Sequence, residues 1–339
     1  MSRRDTGTDD PRVRVRPGRG SRPRTKRRPD YSDARRAQVY RVDRGRYHVT
    51  VVDDGTQVTA VKARELPHGS IVVGDIVAMT GDLSGRKDTL ARIVEVDERS
   101  TALRRTAEES EAAGTERVIV ANADQLVIVT AVAQPEPRPG MIDRILVAAY
   151  DAGMKPILLL TKYDLGDPGE LEAIYEPLDV DMYTSSINEE TGEADIADIA
   201  EALKGHVSVL VGHSGVGKST LINELVPEAE RETGVVNVVT GRGRHTSTAA
   251  MAFPLVDGGA VIDTPGVRTF GLAHVEPEDL LRGFHDLQKV AEECPRGCTH
   301  DEDAIECAFD EVEGDRLKSR VESFRRLLHS RTSMDPHWA

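Results

Sequence analysis

One short stretch constrains the fold of this chain more than any other. Residues 212–220 read GHSGVGKST and match the phosphate-binding loop pattern G-x-x-x-x-G-K-[ST]. The apolar run VSVLV before the loop predicts a buried strand, and LINELV after it predicts a helix. In that context the N–H groups of the loop and the helix N-terminus bind nucleotide phosphates. The predicted phosphate contacts are Gly212, His213, Ser214, Gly215, Val216, Gly217, Lys218, Ser219 and Thr220.

Two of these residues have more specific expected roles. In phosphate-binding loops the lysine reaches the β- and γ-phosphates, and the following hydroxyl residue binds Mg²⁺. We therefore expect Lys218 to contact the phosphates and Ser219 to be a magnesium ligand.

The composition indicates a soluble protein of two or three domains, with 339 residues, 30% charged and 39% hydrophobic. No apolar run approaches the roughly 20 residues of a membrane helix, and no apolar signal core is seen, which indicates a cytoplasmic protein. Residues 1–36 are basic, with thirteen Arg or Lys against five Asp, although the whole chain has a net charge of −14. This segment is predicted to be a disordered tail that either contacts nucleic-acid phosphates or is simply solvated.

Residues 37–105 contain short β-rich runs separated by turns such as DRG, DDG and HGS. The runs are QVYRV, YHVTVV, QVTAVKA, IVVGDIVAM and LARIVEV. Five short strands of this kind predict a small closed barrel of the oligonucleotide-binding type, a fold that often binds RNA. Candidate phosphate contacts are Arg41, Arg44, Arg46, Arg104 and Arg105, although the same residues are equally well explained as exposed side chains.

Residues 106–273 alternate between predicted strands and helices, which is typical of a parallel sheet that binds ligands at the carboxyl ends of its strands. Thr161, Lys162, Tyr163 and Asp164 follow the apolar run PILLL and match the guanine-reading pattern [NT]-K-x-D. Asp164 would accept hydrogen bonds from guanine N1–H and the 2-amino group, a pair of donors that adenine cannot offer, and Lys162 would cover the base. The TSS sequence at 184–186 resembles a loop that supports the base through a backbone N–H. From it we expect Ser185 and Ser186 to bind GTP.

Two later segments contain the residues that are expected to contact Mg²⁺ and the γ-phosphate. The polar stretch 240–250 has the character of a mobile loop, and one hydroxyl of Thr246, Ser247 or Thr248 is expected to bind Mg²⁺. Asp263 ends an apolar strand and begins DTPG, so it is a second predicted magnesium ligand, and the N–H of Gly266 would sense the γ-phosphate. The next residue, Val267, cannot orient an attacking water. His245 is therefore the candidate catalytic residue, with a surface loop histidine or an RNA contact as equal alternatives.

The cysteines of the chain fall into one short segment between two predicted helices. Cys294, Cys298, His300 and Cys307 form the pattern C-x₃-C-x-H-x₆-C. Three thiolates and one imidazole suit a tetrahedral structural Zn²⁺ without an open catalytic position. Such a metal would stabilise a segment that has few other core residues. The predicted domains are therefore a tail at 1–36, a barrel at 37–105, a nucleotide-binding domain at 106–273 and a helical zinc-binding segment at 274–339.

The order of the motifs differs from that of ordinary GTPases, in which the phosphate loop comes first and the base-reading motif last. Here TKYD precedes GHSGVGKST, GRGRHTST and DTPG, which indicates circular permutation. Together with the barrel and the zinc segment, these motifs strongly resemble the RsgA (YjeQ) family of small-ribosomal-subunit biogenesis GTPases over about residues 37–330. The resemblance implies GTP hydrolysis to GDP in late 30S maturation, with 16S rRNA as ligand and the particle as stimulator. It also implies that His245 is catalytic.

Three features depart from the family pattern or lie outside it. Thr161 replaces the usual Asn, the first zinc spacing is one residue shorter and the last one residue longer, and the basic tail is not part of the family core. One alternative function is an RNA-binding assembly factor whose GTP is hydrolysed slowly, which Val267 favours. Another is a small-molecule kinase with a phosphate loop, which TKYD disfavours. A monomer without membrane contact is expected in each case.

Overall fold

The structure is a computed structural model that describes residues 31–106, 116–187, 192, 194–227, 250–264, 270, 272 and 274–331. Several sequence predictions lie outside these residues. They concern the basic tail to residue 30 and the residues His245, Thr246, Ser247, Thr248, Gly266 and Val267. The chain from Ala34 onwards forms one compact unit. None of the helices in the described part of the chain has the length and apolar character that crossing a bilayer requires.

Residues 35–96 form the small closed barrel that the sequence predicts. Its strands are β1 (Arg35–Asp43), β2 (Arg46–Val51), β3 (Gln57–Lys62), β4 (Ile76–Gly81) and β5 (Ala91–Val96). They pair in the order β1-β2-β3-β5-β4, and β4 closes the barrel by pairing with β1. Alternate side chains such as Val39, Val49 and Ile93 are fully buried, because successive residues of a strand face opposite sides of the sheet.

The barrel ends earlier than residue 105, and the next two strands form a separate hairpin. β6 (Ala102–Thr106) pairs with β7 (Glu116–Ala121) in a two-stranded sheet. The chain leaves the barrel at Arg99, whose guanidinium contacts the fully buried Asp75 carboxylate at 2.7 and 2.8 Å. Arg104 and Arg105 therefore lie on the hairpin rather than on a barrel strand.

The remaining strands build a sheet that is mostly parallel. They are β8 (Gln125–Ala131), β9 (Lys155–Thr161), β10 (Asp181–Ile187), β11 (Ala194–Asp195), β12 (Val207–Val211), β13 (Met251–Pro254) and β14 (Ala260–Asp263). The parallel part has the order β10-β9-β8-β12-β14, while β11 and β13 pair antiparallel at its two sides. β8 is buried along its whole length, because helices cover both faces of such a sheet. The helices within this region are α1 (Pro139–Asp151), α2 (Gly169–Tyr175), α3 (Ala197–Leu203) and α4 (Lys218–Leu225).

The C-terminal segment packs as helices against the α1 side of this sheet. Its helices are α5 (Pro277–Leu281), α6 (His285–Ala291) and α7 (Asp315–Ser330), and a 3₁₀ turn spans Ala308–Glu311. Phe284, Phe309 and Phe324 are almost fully buried in the same apolar cluster as strand residues such as Ile128 and Leu158. The expectation that this segment has few core residues is therefore wrong. Its apolar side chains are widely spaced in the sequence and come together around Phe324 of α7, whose ring contacts those of Phe284 and Phe309.

Candidate active site and metal centre

Five neighbouring parallel strands end at one edge of the sheet, and the predicted nucleotide motifs follow or end these strands. The phosphate loop follows β12, DTPG begins at the last residue of β14, and TKYD begins at the last residue of β9. The strands β8, β12 and β14 are adjacent, with Leu210 paired to both Val127 and Asp263. Because the carboxyl ends of parallel strands meet at one edge, the three motifs lie close together there, at the place where such sheets bind ligands.

The phosphate loop passes very close to the neighbouring strand β8. A Cβ atom on Gly212 would lie only 2.1 Å from the backbone oxygen of Val129, so no larger residue fits at this position. After the loop, α4 begins at Lys218, so the N-terminus of this helix faces the same edge of the sheet. The predicted sequence of strand, loop and helix is therefore confirmed.

The Lys218 ammonium group is already held by the loop itself. It donates to the backbone oxygens of Gly212 at 2.6 Å and His213 at 2.8 Å. Burial lowers the pKa of Lys218, and the nearby Asp263 carboxylate opposes this shift. An ammonium group has three N–H donors, so two of them orient the group and the third is available for a phosphate oxygen.

Thr161 joins the base-reading motif to the phosphate loop. Its buried hydroxyl lies 2.6 Å from the backbone oxygen of Val216 and 3.2 Å from that of Thr130. A hydroxyl has a single proton, so the shorter contact identifies Val216 as the acceptor. From the [NT]-K-x-D pattern we expect Thr161 to lie near the base, whereas in the structure its hydroxyl lies against the phosphate loop.

The other residues of TKYD leave the strand and face solvent at the pocket edge. Lys162 adopts a left-handed conformation, and its ammonium group donates to the backbone oxygen of Gln134. Tyr163 and Asp164 lie in a short 3₁₀ helix, and both are exposed. The exposed Asp164 carboxylate is thus presented at the carboxyl end of β9, where a base can approach it.

A buried hydroxyl that the sequence reasoning missed connects DTPG to the strand before the phosphate loop. Thr264 donates from its Oγ1 to the backbone oxygen of Leu210 at 2.9 Å, and the residue is only 4% exposed. This contact fixes the chain directly after Asp263. The only sequence signal for it is the position of a threonine immediately after the metal-side aspartate.

The TSS segment lies in a strand, which corrects the prediction of a loop at 184–186. β10 continues to Ile187, with Ser185 paired to Thr161 and Ser186 paired to Asp195. The strand is longer than predicted because β11, eight residues further along the chain from Ser186, supplies an antiparallel partner. Ser185 nevertheless lies beside Thr161, the last residue of β9.

The four predicted zinc ligands come together in the C-terminal segment. One ligand atom from each of Cys294, Cys298, His300 and Cys307 lies within 4.8 Å of the others. The Cys294 Sγ is 4.0 Å from the Cys307 Sγ, and His300 Nδ1 is 3.5 and 3.7 Å from these two atoms. A tetrahedral zinc site has edges of about 3.8 Å between two sulfurs and about 3.6 Å between sulfur and nitrogen. The residues therefore fit one structural Zn²⁺.

The surroundings of the cluster also suit a metal. Burial raises the pKa of Cys307 to about 12 and lowers the pKa of His300, so both groups are neutral without a nearby cation. A zinc ion would reverse the preference of the thiol by binding the thiolate. The His300 ring stacks on Phe309 with centroids 4.7 Å apart, which fixes the orientation of the imidazole.

The base-reading strand precedes the phosphate loop in the chain but touches it in space, which defines the class of the protein as a circularly permuted GTPase. Solved structures agree with this fold. The chain is similar to the crystal structure of YjeQ from Thermotoga maritima, with a TM-score of 0.60, 28% identity, and coverage of 87% of this chain and 98% of the other. It also resembles YloQ, described as a circularly permuted GTPase, at a TM-score of 0.59 and 23% identity over 88% of this chain and 96% of the other.

Sequence comparison identifies the family. The family model "RsgA GTPase" matches residues 96–273. The small ribosomal subunit biogenesis GTPase RsgA of Pseudomonas aeruginosa (strain LESB58) is 40% identical over 228 residues, or 66% of this chain and 67% of the relative. The protein of the same name from Pseudomonas fluorescens (strain SBW25) is 36% identical over 269 residues, or 77% and 75%. The chain belongs to the RsgA GTPase family, and it is a GTP-hydrolysing enzyme, which excludes the kinase alternative.

Proposed function

We propose that this GTPase acts in late maturation of the small ribosomal subunit, where it binds 16S rRNA and is stimulated by the 30S particle. The observation that carries the nucleotide part is the 2.6 Å contact between Thr161 and Val216, which unites base-reading and phosphate-binding elements in one pocket. The ribosomal part rests on the relatives, which are named small ribosomal subunit biogenesis GTPases. We further infer a monomer that works in the cytoplasm, and light scattering on the full chain tests its mass.

The proposed contacts with GTP divide between the two sides of this pocket. On the base side, Asp164 reads the guanine N1–H and amine, Lys162 covers the ring, and Ser185 and Ser186 support it from the end of β10. On the phosphate side, residues 212–220 surround the phosphates, with the third N–H of Lys218 on a phosphate oxygen. Asp164→Asn should weaken the binding of GTP and strengthen the binding of XTP, because the 2-oxo group of xanthine accepts a hydrogen bond from the asparagine amide.

The proposed magnesium ligands are Ser219, Asp263 and one hydroxyl of residues 246–248, and Gly266 is the proposed γ-phosphate sensor. The bound ion would neutralise the charge that develops on the phosphates during transfer. The Asp263 carboxylate is near enough to the Lys218 ammonium group to oppose the lowering of its pKa by burial, which supports placing both groups beside the same phosphates. Lys218→Ala or Ser219→Ala should abolish turnover while leaving the fold intact. Full activity in either variant would refute the proposed site.

His245 is the proposed catalytic residue that orients the attacking water. The change His245→Ala should lower single-turnover hydrolysis without weakening GTP binding. Equal loss of binding and hydrolysis would instead make His245 a binding residue.

The barrel offers one exposed face with the chemistry of an RNA contact. Its aromatic part is His48, whose ring lies 6.0 Å from the ring of Tyr40. Its basic part is Arg46 and Arg92, two exposed residues that flank Val61 from neighbouring strands. We propose that bases stack on the rings and that the two arginines contact phosphates, as on other barrels of this type. Arg41 contributes less charge, because it is paired with Asp43 at 2.8 Å.

The salt dependence of RNA binding tests this face. Arg46→Gln and Arg92→Gln should each weaken binding of a 16S rRNA fragment to a similar degree for all sequences and reduce the salt slope by about 1. Arg282→Gln, directly after α5, is the control outside the barrel, since this arginine is also exposed, although it pairs with Asp279 at 2.9 Å. Unchanged binding in both barrel variants would contradict the assignment.

A second candidate function is an RNA-binding assembly factor that hydrolyses GTP slowly, and the observation that favours it is Val267 after DTPG. Turnover measured with and without purified 30S subunits separates the two. Strong stimulation by the particle supports the GTPase function, whereas unchanged turnover supports the second candidate.

A further inference from the structure

Helix α7 carries two adjacent arginines that hold different parts of the protein. Arg325 faces the metal centre: its Nε donates to the backbone oxygen of His300 at 3.2 Å, and its terminal nitrogen pairs with Asp310 at 2.7 Å. Asp310 lies in the 3₁₀ turn that follows Cys307. Arg325 therefore connects two sections of the metal-binding segment to α7.

The neighbouring Arg326 faces the sheet and bridges α1 and α2. Its Nε donates to Asp143 on α1 at 3.1 Å, and its terminal nitrogen donates to the backbone oxygen of Ile174 on α2 at 3.3 Å. Asp143 is nearly fully buried, and burial raises its pKa while Arg326 opposes the shift. The guanidinium group also lies over the Tyr175 ring, 5.5 Å from its centroid.

These two helices follow the two loops on the base side of the pocket. The segment 132–138 links β8 to α1, and the segment 162–168 links β9 to α2. The two loops touch, because Lys162 donates to the Gln134 backbone and a Cβ on Gly166 would meet the Val132 side chain at 3.1 Å. Arg326 thus holds together the helices that continue from the base-reading loops.

We propose that Arg326 is a positioning residue for the guanine side of the nucleotide site, and that zinc supports Arg326 through the neighbouring Arg325. Bound zinc should then increase the affinities for GDP and GTP by the same factor. This rests on the proposed roles of Lys162 and Asp164. The equality follows from the location of the contacts, because GDP and GTP share the base and differ only at the γ-phosphate. A ligand of the phosphate loop alone, such as inorganic tripolyphosphate, does not reach the loops in question.

Binding measurements on two variants of Arg326, one that removes its charge and one that keeps it, test the role of this residue. In Arg326→Gln the affinities for GDP and for a non-hydrolysable GTP analogue should fall together by about tenfold, a typical coupling between sites. Arg326→Lys keeps the charge beside Asp143 but lacks the planar fork, so it should keep most of the thermal stability and still lose GDP affinity. Arg316→Gln is the control, since this arginine of α7 is 78% exposed and its contact with Asp179 is long, at 3.5 Å.

Unchanged GDP affinity in the folded Arg326→Lys variant would overturn the proposal. So would a loss confined to the GTP analogue, or an equal loss for tripolyphosphate. A separate experiment shows whether the proposed guanine contact of Asp164 is wrong. In that case Asp164→Asn would leave the selectivity between GTP and XTP unchanged.

Metal removal from the unmodified full chain provides an independent test. Chelation should weaken GDP binding by about tenfold, and one equivalent of Zn²⁺ should restore it. By reciprocity, saturating GDP should tighten zinc binding by the same factor in a competition assay with a chromogenic chelator. Arg325→Gln should remove this mutual effect while the cysteines still bind zinc. A GDP affinity that is independent of zinc in the folded protein, or coupling that survives in Arg325→Gln, would refute the proposed link.

Discussion

The change Gly212→Ala is expected to disable nucleotide binding through a single methyl group. A Cβ at this position would lie 2.1 Å from the Val129 oxygen and 3.1 Å from the Val129 carbonyl carbon. Both are backbone atoms in the middle of the sheet, so neither can rotate away. To reach an ordinary contact distance, the loop must move away from β8 by about 1 Å, which also shifts the N–H groups that are expected to bind the phosphates.

The same displacement also moves the group that holds the phosphate-binding lysine. The Gly212 backbone oxygen accepts the 2.6 Å hydrogen bond from Lys218, so the ammonium group loses one of its two fixed partners. Inserting a methyl group into a packed site adds a stability cost of about 1–3 kcal/mol. We therefore expect Gly212→Ala to fold, to unfold at a lower temperature, and to bind GDP about 10- to 100-fold more weakly than the unchanged chain, which is the equivalent of one lost hydrogen bond to a charged group.

The assay is titration with a fluorescent GDP analogue, accompanied by thermal unfolding, and Gly205→Ala is the control. Gly205 lies in the turn before β12, outside the phosphate loop, with φ +73°, and no atom lies within 4 Å of the position that an added methyl group would take. Alanine there therefore costs only about 1–2 kcal/mol of backbone strain. If Gly212→Ala binds GDP as tightly as Gly205→Ala, the steric reasoning is refuted.

Three further predictions concern single contacts. Thr161→Val leaves the buried Val216 oxygen without its donor and should lower the free energy of unfolding, measured with urea, by about 1–3 kcal/mol. Thr161→Ser keeps the hydroxyl and should be as stable as the unchanged chain. Equal stability of all three proteins would contradict this prediction. His274 lies between the Glu116 and Asp151 carboxylates; burial opposes protonation, but these partners raise its pKa. The contribution of His274 to stability should therefore be complete below its unfolded-state pKa of about 6.5 and disappear as the pH rises through its higher folded-state pKa. The difference in free energy of unfolding between the unchanged chain and His274→Gln should accordingly shrink from acid to alkaline pH. Cys307→Ser should lose one equivalent of zinc, measured by metal analysis, and lower the unfolding temperature; retention of zinc with unchanged stability would exclude the cluster as a structural site.

The phosphate-binding loop and the Cys₃His cluster could be recognised in the sequence because their chemistry requires close spacing along the chain. A phosphate loop needs its glycines, lysine and hydroxyl within one turn between a strand and a helix, and GHSGVGKST contains all of them. The Cys₃His cluster is similarly local, since the ligands Cys294 to Cys307 come from one segment. The permuted order of the motifs was also visible in the sequence, because each motif can be recognised from its own residues wherever it lies in the chain.

The features that sequence reasoning missed depend on partners that are distant in the chain. The TSS segment is part of a strand because β11 pairs with it, and no property of residues 184–186 indicates that partner. Thr161 serves the phosphate loop because Val216, 55 positions away, brings its oxygen to 2.6 Å. In each case the decisive group belongs to a different strand or loop.

The C-terminal segment shows the same limit on a larger scale. Its sequence predicts a small metal-stabilised unit, but Phe284, Phe309 and Phe324 complete an apolar core that also contains residues of α1 and the central strands. Local sequence determined the chemistry of the two binding sites in this protein. Tertiary structure alone decided which side chains support those sites, because burial and hydrogen bonding depend on the surfaces that distant segments bring together.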